Sequence, residues 1–258
     1  MTAVGVGLST GCATPVDVPS MAAASATPPA TAAPNAHTVI ANAAGGSMAP
    51  FAVTLDGNVV GSDGSPKPGA GVFRVALDPY LEPVVQTQTD PAGAFSLAGA
   101  TGGTREWLLV QLAGSASLYQ AFDTGTDSRQ SLGPVTLFTD ADLTALARSV
   151  GAQFDASRSV VRVPVVAAAA NGVAPVPAEE IQVTFTPPLG TPAATIDGAA
   201  LAFDALPNSE YSIAIARNGA PCAPQAHPEI VTPDGSMPIG TIAGGLTVTP
   251  VILCPSVP

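Results

Sequence analysis

Thr89-Asp90-Pro91-Ala92-Gly93-Ala94-Phe95-Ser96-Leu97, then a Gly-rich turn, then Trp107-Leu108-Leu109-Val110-Gln111-Leu112 closed by Gly114, is the stretch that decides the fold. Asp90 and Gly93 mark a tight turn, where glycine readily takes a positive φ. A short alternating run, a second turn and an aromatic-led apolar run of strand length follow. The same order returns at Thr195-Ile196-Asp197-Gly198, Leu201-Ala202-Phe203, the turn Leu206-Pro207-Asn208, Tyr211-Ser212-Ile213-Ala214-Ile215 and Gly219. Two passages of one design indicate an internal duplication.

Outward from this stretch, apolar runs at Val53/Leu55, Val59, Val72/Phe73/Val75/Leu77 and Val84/Val85 alternate with turn chemistry at Asp56-Gly57-Asn58 and Asp63-Gly64. Beyond Gly151 the runs resume at Val160 to Val166, Ile181/Val183/Phe185, Thr195-Ile196, Leu201 to Phe203, Tyr211 to Ile215 and Ile239 to Leu253. Strands recurring about every ten residues predict an antiparallel sandwich or barrel. Pro164 inside the first run of the second set predicts an edge position or a bulge. Between the sets, Thr139-Asp140-Ala141-Asp142 is a capping box. Leu143, Leu146, Ala147 and Val150 follow at helical spacing, with Arg148 in the last turn and Gly151 as the stop. The spacing predicts a helix from Asp140 to Val150, too short to be stable alone, whose apolar stripe packs on a sandwich.

The composition excludes several function classes. Among 258 residues, Lys+Arg number 8 against Asp+Glu 19, a formal net charge of −11. So acidic a chain does not coat nucleic-acid phosphates or an anionic lipid surface by charge. Charged residues make up 10%, against about 25% in an ordinary soluble domain. His37 and His227 are the only imidazoles, which excludes His-rich metal sites. A hydrophobic content of 47% requires a packed core. The longest apolar stretch, Val160 to Ala170, is interrupted by Arg162 and Pro164 and falls short of the ~18 residues of a spanning helix.

The first copy resembles the carboxypeptidase regulatory-like domains. The residues that carry the resemblance are Val59-x-Gly61, Gly64-x-Pro66-x-Pro68-Gly69-Ala70-x-Val72 and Thr89-Asp90-x-x-Gly93-x-Phe95-x-Leu97, over about Phe51 to Asp123. The family's Pro-Gly-x-Tyr loop is replaced here by Gly102-Gly103-Thr104-Arg105-Glu106 ahead of Trp107. The second copy, about Ser159 to Pro255, matches more loosely, through Val161-x-Val163-x-Val165, Asn171-Gly172, Val176-Pro177, Ile181-x-Val183, Asp197-Gly198 and Leu206-Pro207-x-x-Glu210-Tyr211. The resemblance implies a transthyretin-like β-sandwich and no catalytic residues.

Candidate chemistry is sparse. Asp56, Asp63 and Asp90 sit at turns without a calcium-loop pattern. Glu179 and Glu180 precede a strand as neighbours, so alternation sends them to opposite faces rather than making a catalytic pair. Asp140 and Asp142 are accounted for by the helix cap and dipole. His227 lies near Cys222, but Pro221-Cys222-Ala223-Pro224 is no nucleophile elbow. Gly45-Gly46-Ser47 lacks the lysine of a phosphate loop. Trp107 and Tyr211 occupy core-like positions, leaving Tyr80 and Tyr119 as aromatic platforms for a sugar.

At the other end, Met1 to Cys12 runs from apolar to small residues, with Gly11 directly before the cysteine. It is similar to the tail of a bacterial lipoprotein signal, which makes Cys12 the lipidation site. Ala, Ser, Thr and Pro dominate residues 13–36, a flexible spacer without helical or strand period. With one cysteine assigned to the anchor, Cys222 and Cys254 remain as an even pair, and export favours a disulfide between them. The expected organisation is mainly β: a signal-like segment (1–12), a disordered linker (13–36), a first transthyretin-like or Ig-like antiparallel sandwich (37–138), a connecting helix (139–151) and a second sandwich (152–258). No catalytic, cofactor or metal site is expected. The expected role is a non-catalytic lipoprotein of the bacterial envelope, periplasmic or cell-surface, serving adhesion, scaffolding or ligand presentation; a carbohydrate- or small-ligand-binding module is the alternative. Its partner would be an envelope protein or polysaccharide, with membrane contact only through the lipid and no nucleic acid. In bacteria expressing the natural gene, a palmitate analogue should label the protein, and Cys12→Ser should abolish the label.

Overall fold

The computed structural model describes residues 51–75, 85–169, 172–225 and 236–256. The strands of the first half are β1 (Ala52–Gly61), β2 (Gly71–Val75), β3 (Val85–Gln88), β4 (Ala94–Thr101), β5 (Arg105–Gln111), β6 (Ser117–Asp123) and β7 (Arg129–Leu137). Helix α1 (Asp140–Ser149) follows. The second half supplies β8 (Ser159–Ala169), β9 (Gly172–Pro175), β10 (Ile181–Thr186), β11 (Ala194–Ile196), β12 (Ala199–Ala205), β13 (Glu210–Arg217), β14 (Ala220–Pro221), β15 (Ala223–Pro224), β16 (Met237–Gly240), β17 (Gly245–Val248) and β18 (Ile252–Cys254).

The two halves repeat one pairing scheme. In the first, β1 pairs antiparallel with β4 and parallel with β7, while β5 lies antiparallel between β2 and β6. In the second, β8 pairs antiparallel with β12 and parallel with β17 and β18, while β13 lies antiparallel between β10 and β16. The repeat reaches single hydrogen bonds. Val59 donates its N–H to Gly93 O (2.8 Å) and accepts from Lys67 N–H (3.0 Å); Val165 donates to Gly198 O (2.8 Å) and accepts from Val176 N–H (3.4 Å). Gly93 and Gly198 take φ of 78° and 75°. A Cβ at Gly93 would meet Val59 O at 2.5 Å, and one at Gly198 would meet Pro175 Cβ at 2.8 Å. Both the backbone angle and the close approach therefore call for glycine.

The halves are not separate sheets. A single sheet runs in the order β11-β12-β8-β17-β6-β5-β2-β3, so strands from both sides of the helix are hydrogen-bonded neighbours. Its link is β17, parallel to β6 through Gly245↔Ser117 to Val248↔Gln120 and parallel to β8 through Leu246↔Val160 to Val248↔Arg162. Met48–Pro258 accordingly forms one compact unit. Two smaller sheets cover opposite faces of the long one. On one face, Leu108, Val110, Leu118, Val160, Leu201 and Leu246 share a core with Val53, Leu55 and Val59 of β1, Phe95 and Leu97 of β4, and Val135 and Leu137 of β7. On the other, Trp107, Tyr119, Val161, Val163, Ala200 and Ala202 share a core with Phe185 of β10, Tyr211 and Ile213 of β13, and Met237 and Ile239 of β16. Because side chains alternate along a strand, burial on both faces explains the consecutive apolar residues of β5, β8 and β12, such as Trp107-Leu108, Val160-Val161 and Ala200-Leu201.

Three readings of the sequence change. Asp56-Gly57-Asn58 is not a turn but the middle of β1, where the register with β7 shifts. Gly57 is small because a Cβ there would meet the Phe95 ring at 2.7 Å. Pro164 lies in a central strand rather than at an edge. Val165 donates its N–H to Gly198 O on the β12 side, so the Pro164 nitrogen faces the other neighbour. On that side the ladder to β17 ends at Arg162 and that to β18 begins at Val165, so the missing donor falls in the gap between two strands. The run Ile239 to Leu253 is likewise divided into β16, β17 and β18.

Helix α1 forms where the pattern placed it. Thr139 is the N-cap: its Oγ1 accepts from Asp142 N–H (3.2 Å), and its own N–H donates to Asp142 Oδ2 (2.8 Å). Leu143 and Ala147 are fully buried in the core that holds Leu201 and Phe203. Each such leucine contributes about 2 kcal/mol of burial. The hydrogen bond from the Thr139 backbone N–H, followed by that from its hydroxyl, holds the Asp142 carboxyl below its ordinary value of 3.8. A lowered folded pKa contributes stability above the unfolded pKa, and that stability is lost as pH falls through the folded one. Asp142→Asn should therefore be less stable than the parent at pH 7, with the gap in denaturant midpoint closing as the pH falls below 3.8.

Candidate functional site

Charge is used for cross-strand pairing. Among the described residues, five arginines form ion pairs, each between adjoining segments of sheet. Arg105 and Asp123 are register partners on β5 and β6, with Nε donating to Oδ1 at 2.9 Å. Arg74 on β2 donates to Glu106 Oε1 on β5 (3.1 Å), which also accepts from Thr101 N–H (2.9 Å). Arg217 on β13 meets Glu180 Oε2 (2.6 Å) just ahead of β10 and donates to Pro255 O (3.0 Å). Arg158 lies 3.5 Å from Asp204. Arg129 on β7 pairs with Asp56 on β1 at the surface, and its hydrogen bond lowers the Asp56 pKa. Buried threonines do similar work: Thr89 Oγ1 donates to Lys67 O (2.6 Å) and accepts from Ala70 N–H (2.9 Å), closing the first module's turn.

The sequence candidates are dispersed among these local roles. Asp63 Oδ1 accepts from Ser65 N–H and hydroxyl (3.0 and 2.6 Å), and Asp90 Oδ1 from the N–H groups of Ala92 and Ala94 (both 2.8 Å). Glu179 and Glu180 lie in a short 3-10 turn, Ala178–Glu180, and Glu180 is held by Arg217. No cluster of three or more potential metal ligands exists among the described residues. Cys222 is bonded to Cys254, with Cα atoms 4.3 Å apart, so it carries no nucleophilic thiol. The neighbours that bring them together are β15 and β18.

Tyr119 is not a platform. It is fully buried and stacks on Trp107 with ring centroids 4.5 Å apart and planes 12° apart. It sits opposite Leu109 on a strand whose two faces are both covered, which alternation within β6 alone does not reveal. Tyr211 is also buried, edge-on to Phe185 at 6.1 Å, and its hydroxyl accepts from Leu206 N–H (2.8 Å). Cys12, His37, Gly45 to Ser47, Tyr80, Asn171 and His227 lie outside the described residues.

Among the described residues, a shallow groove of about 390 Å³ lies at the β2–β3 end of the long sheet, lined by Gly71, Phe73, Gln86, Thr87 and Gln88. Phe73 pairs with Gln86 and Gly71 with Gln88, so the four project from one face. A Cβ at Gly71 would meet the Phe73 ring at 2.8 Å, so the ring lies back over the glycine. The lining carries no charge. Sequence reasoning passed over Phe73, Gln86 and Gln88 because only their register makes them neighbours.

No protein-family model matches the chain, and no curated protein matches it. Among solved structures it is similar to 3-chlorocatechol 1,2-dioxygenase from Rhodococcus opacus 1CP, at 14% identity and a TM-score of 0.27 over 35% of this chain and 60% of that one. It is also similar to a minor pilin of Streptococcus agalactiae, at 10% identity and a TM-score of 0.27 over 80% of this chain and 97% of that one. A shaft pilin of Lactobacillus rhamnosus GG matches at 10% identity and a TM-score of 0.24 over 81% of this chain and 99% of that one. At such scores nothing of those proteins' roles transfers to this chain.

The ion pairs differ in burial, and so in consequence. Arg105 and Asp123 side chains are 6% and 18% exposed, whereas Arg129 is 71% exposed. Arg105→Ala should cost about 3 kcal/mol in a denaturant titration, because it leaves Asp123 in a covered site without its counter-charge. Arg129→Ala should leave the midpoint nearly unchanged.

Proposed function

We propose that this chain is a non-catalytic β-sandwich protein of the bacterial cell envelope, exported and lipid-anchored through Cys12. Its two modules, of the carboxypeptidase regulatory-like kind, would serve adhesion, scaffolding or ligand presentation. The observation that carries this reading is the long sheet through both halves, whose ionic side chains join strand to strand. Such an arrangement makes a stiff presenting body, and among the described residues it brings no set of titratable groups together in a cleft. Among the described residues no helix is long and apolar enough to cross a membrane.

A second reading, a module that binds a neutral polysaccharide, is favoured by the groove at Phe73. An aromatic face and uncharged amides that both donate and accept suit sugar hydroxyls better than an ionic ligand. Immobilised protein lacking the N-terminal segment, incubated with the native envelope, separates the two. The main reading expects retention of an envelope protein, identified by mass spectrometry and unaffected by Phe73→Ala. Retention of polysaccharide that is lost in Phe73→Ala and Gln88→Ala supports the second reading instead. Retention of neither overturns both.

A further inference from the structure

The ring closed by Cys222–Cys254 contains the strand that joins the halves. With a sequence separation of 32, it encloses β15, β16, β17 and β18. At its start, Cys222 donates its N–H to Ile215 O on β13 (2.9 Å). Midway, β16 pairs with β13 through Tyr211↔Ile239 and Ile213↔Met237. The chain then leaves this covering sheet, enters the long sheet as β17 between β6 and β8, continues as β18 on β8, and returns through Cys254 to Cys222. The seam segment is therefore tied on both sides: by strand pairing to β13 ahead of it, and behind it by a covalent bond to Cys222, whose N–H is hydrogen-bonded to β13.

Apart from this tie, β17 is held by its backbone pairing with β6 and β8 and by its buried side chains. It is four residues long and carries no charged side chain. Leu246 is buried, and Thr247 Oγ1 donates to Gly240 O at 3.1 Å. Gly245 lies so close to β6 that a Cβ would meet Ser117 O at 2.7 Å. We propose that the disulfide is a redox-sensitive lock on this seam, so that opening a bond in the second half loosens the edge of β6 that faces β17 in the first, while β6 keeps its pairing with β5. A dithiol supplies the electrons. Its thiolate attacks Cys222 Sγ, on the more exposed of the two residues (8% against 2% for Cys254), and expels the Cys254 thiolate. The reagent's second thiol then displaces Cys222, leaving two cysteine thiols and a cyclic disulfide. Opening the ring returns the loop-closure entropy to the opened state, which favours that state by about 500-fold on the chain-entropy estimate.

Hydrogen–deuterium exchange on the full chain, read by peptide mass spectrometry, tests this. After dithiol reduction, peptides covering Leu118–Gln120 and Leu246–Val248 should exchange faster by roughly 50- to 500-fold. Peptides of β1 and β4 should change by less than about 5-fold. Gly245→Ala with the disulfide intact should accelerate the same seam peptides, and Cys222→Ala with Cys254→Ala should match the reduced parent. If that double variant does not fold, the reduced parent carries the same readout. Equal acceleration throughout both halves would make the disulfide a general stabiliser and overturn the proposal. Acceleration confined to β15 and β18, or thiols that do not form under reduction, would overturn it as well.

Discussion

Gly245–Val248 is hydrogen-bonded in parallel to β6 on one side and to β8 on the other, and the path of the long sheet between the halves runs through it. Parallel neighbours need crossover connections rather than hairpins. Here the crossover is the covering sheet itself, since the chain passes from β13 through β16 before entering the seam. One short strand thus sets which faces are covered. The small sheet β4-β1-β7 and the helix share a core with one face of the long sheet, and the β10-β13-β16 layer shares a core with the other. A sheet buried on both faces needs apolar residues in succession, as in Trp107-Leu108 and Val160-Val161, where both members of each pair are buried.

Within each half the same local device recurs. A valine bonded on both its N–H and its C=O, a glycine at positive φ, and a proline against that glycine bring the first strand, the second segment and the next turn to one point. Val59, Gly93 and Pro66 do this in the first half; Val165, Gly198 and Pro175 do it in the second. The halves differ in how the first strand's parallel partner is built. β7 is one strand, whereas its counterpart is split into β17 and β18, and Pro164 sits opposite the split. The split lets the seam strand reach β6 while β18 carries Cys254 to Cys222.

A chain with 10% charged residues has few ionic contacts to distribute, and here five arginines lie between neighbouring strands. The excess acidic residues that are described take hydrogen bonds from turn backbone, as at Asp63, Asp90 and Asp155, or cap the helix, as at Asp142. A net acidic charge with five of its arginines engaged in ion pairs disfavours polyanionic partners. The uncharged groove at Phe73 stands apart from that pattern.

The sequence by itself determined the local elements. Thr139, Asp142 and Gly151 fix the helix because capping and termination depend on residues a few positions apart. The turns at Gly93 and Gly198 follow from residue type. Tertiary structure alone decided what lies beside what. Leu246 meets Val160 and Leu118, Phe73 meets Gln86, and Tyr119 is covered on both sides of its strand, because strand pairing joins residues far apart in the chain and leaves no periodic mark on either. Pro164 shows the limit most plainly. The rule that proline avoids a central ladder holds for its nitrogen, but whether a neighbour needs that donor depended on where β17 stops and β18 starts.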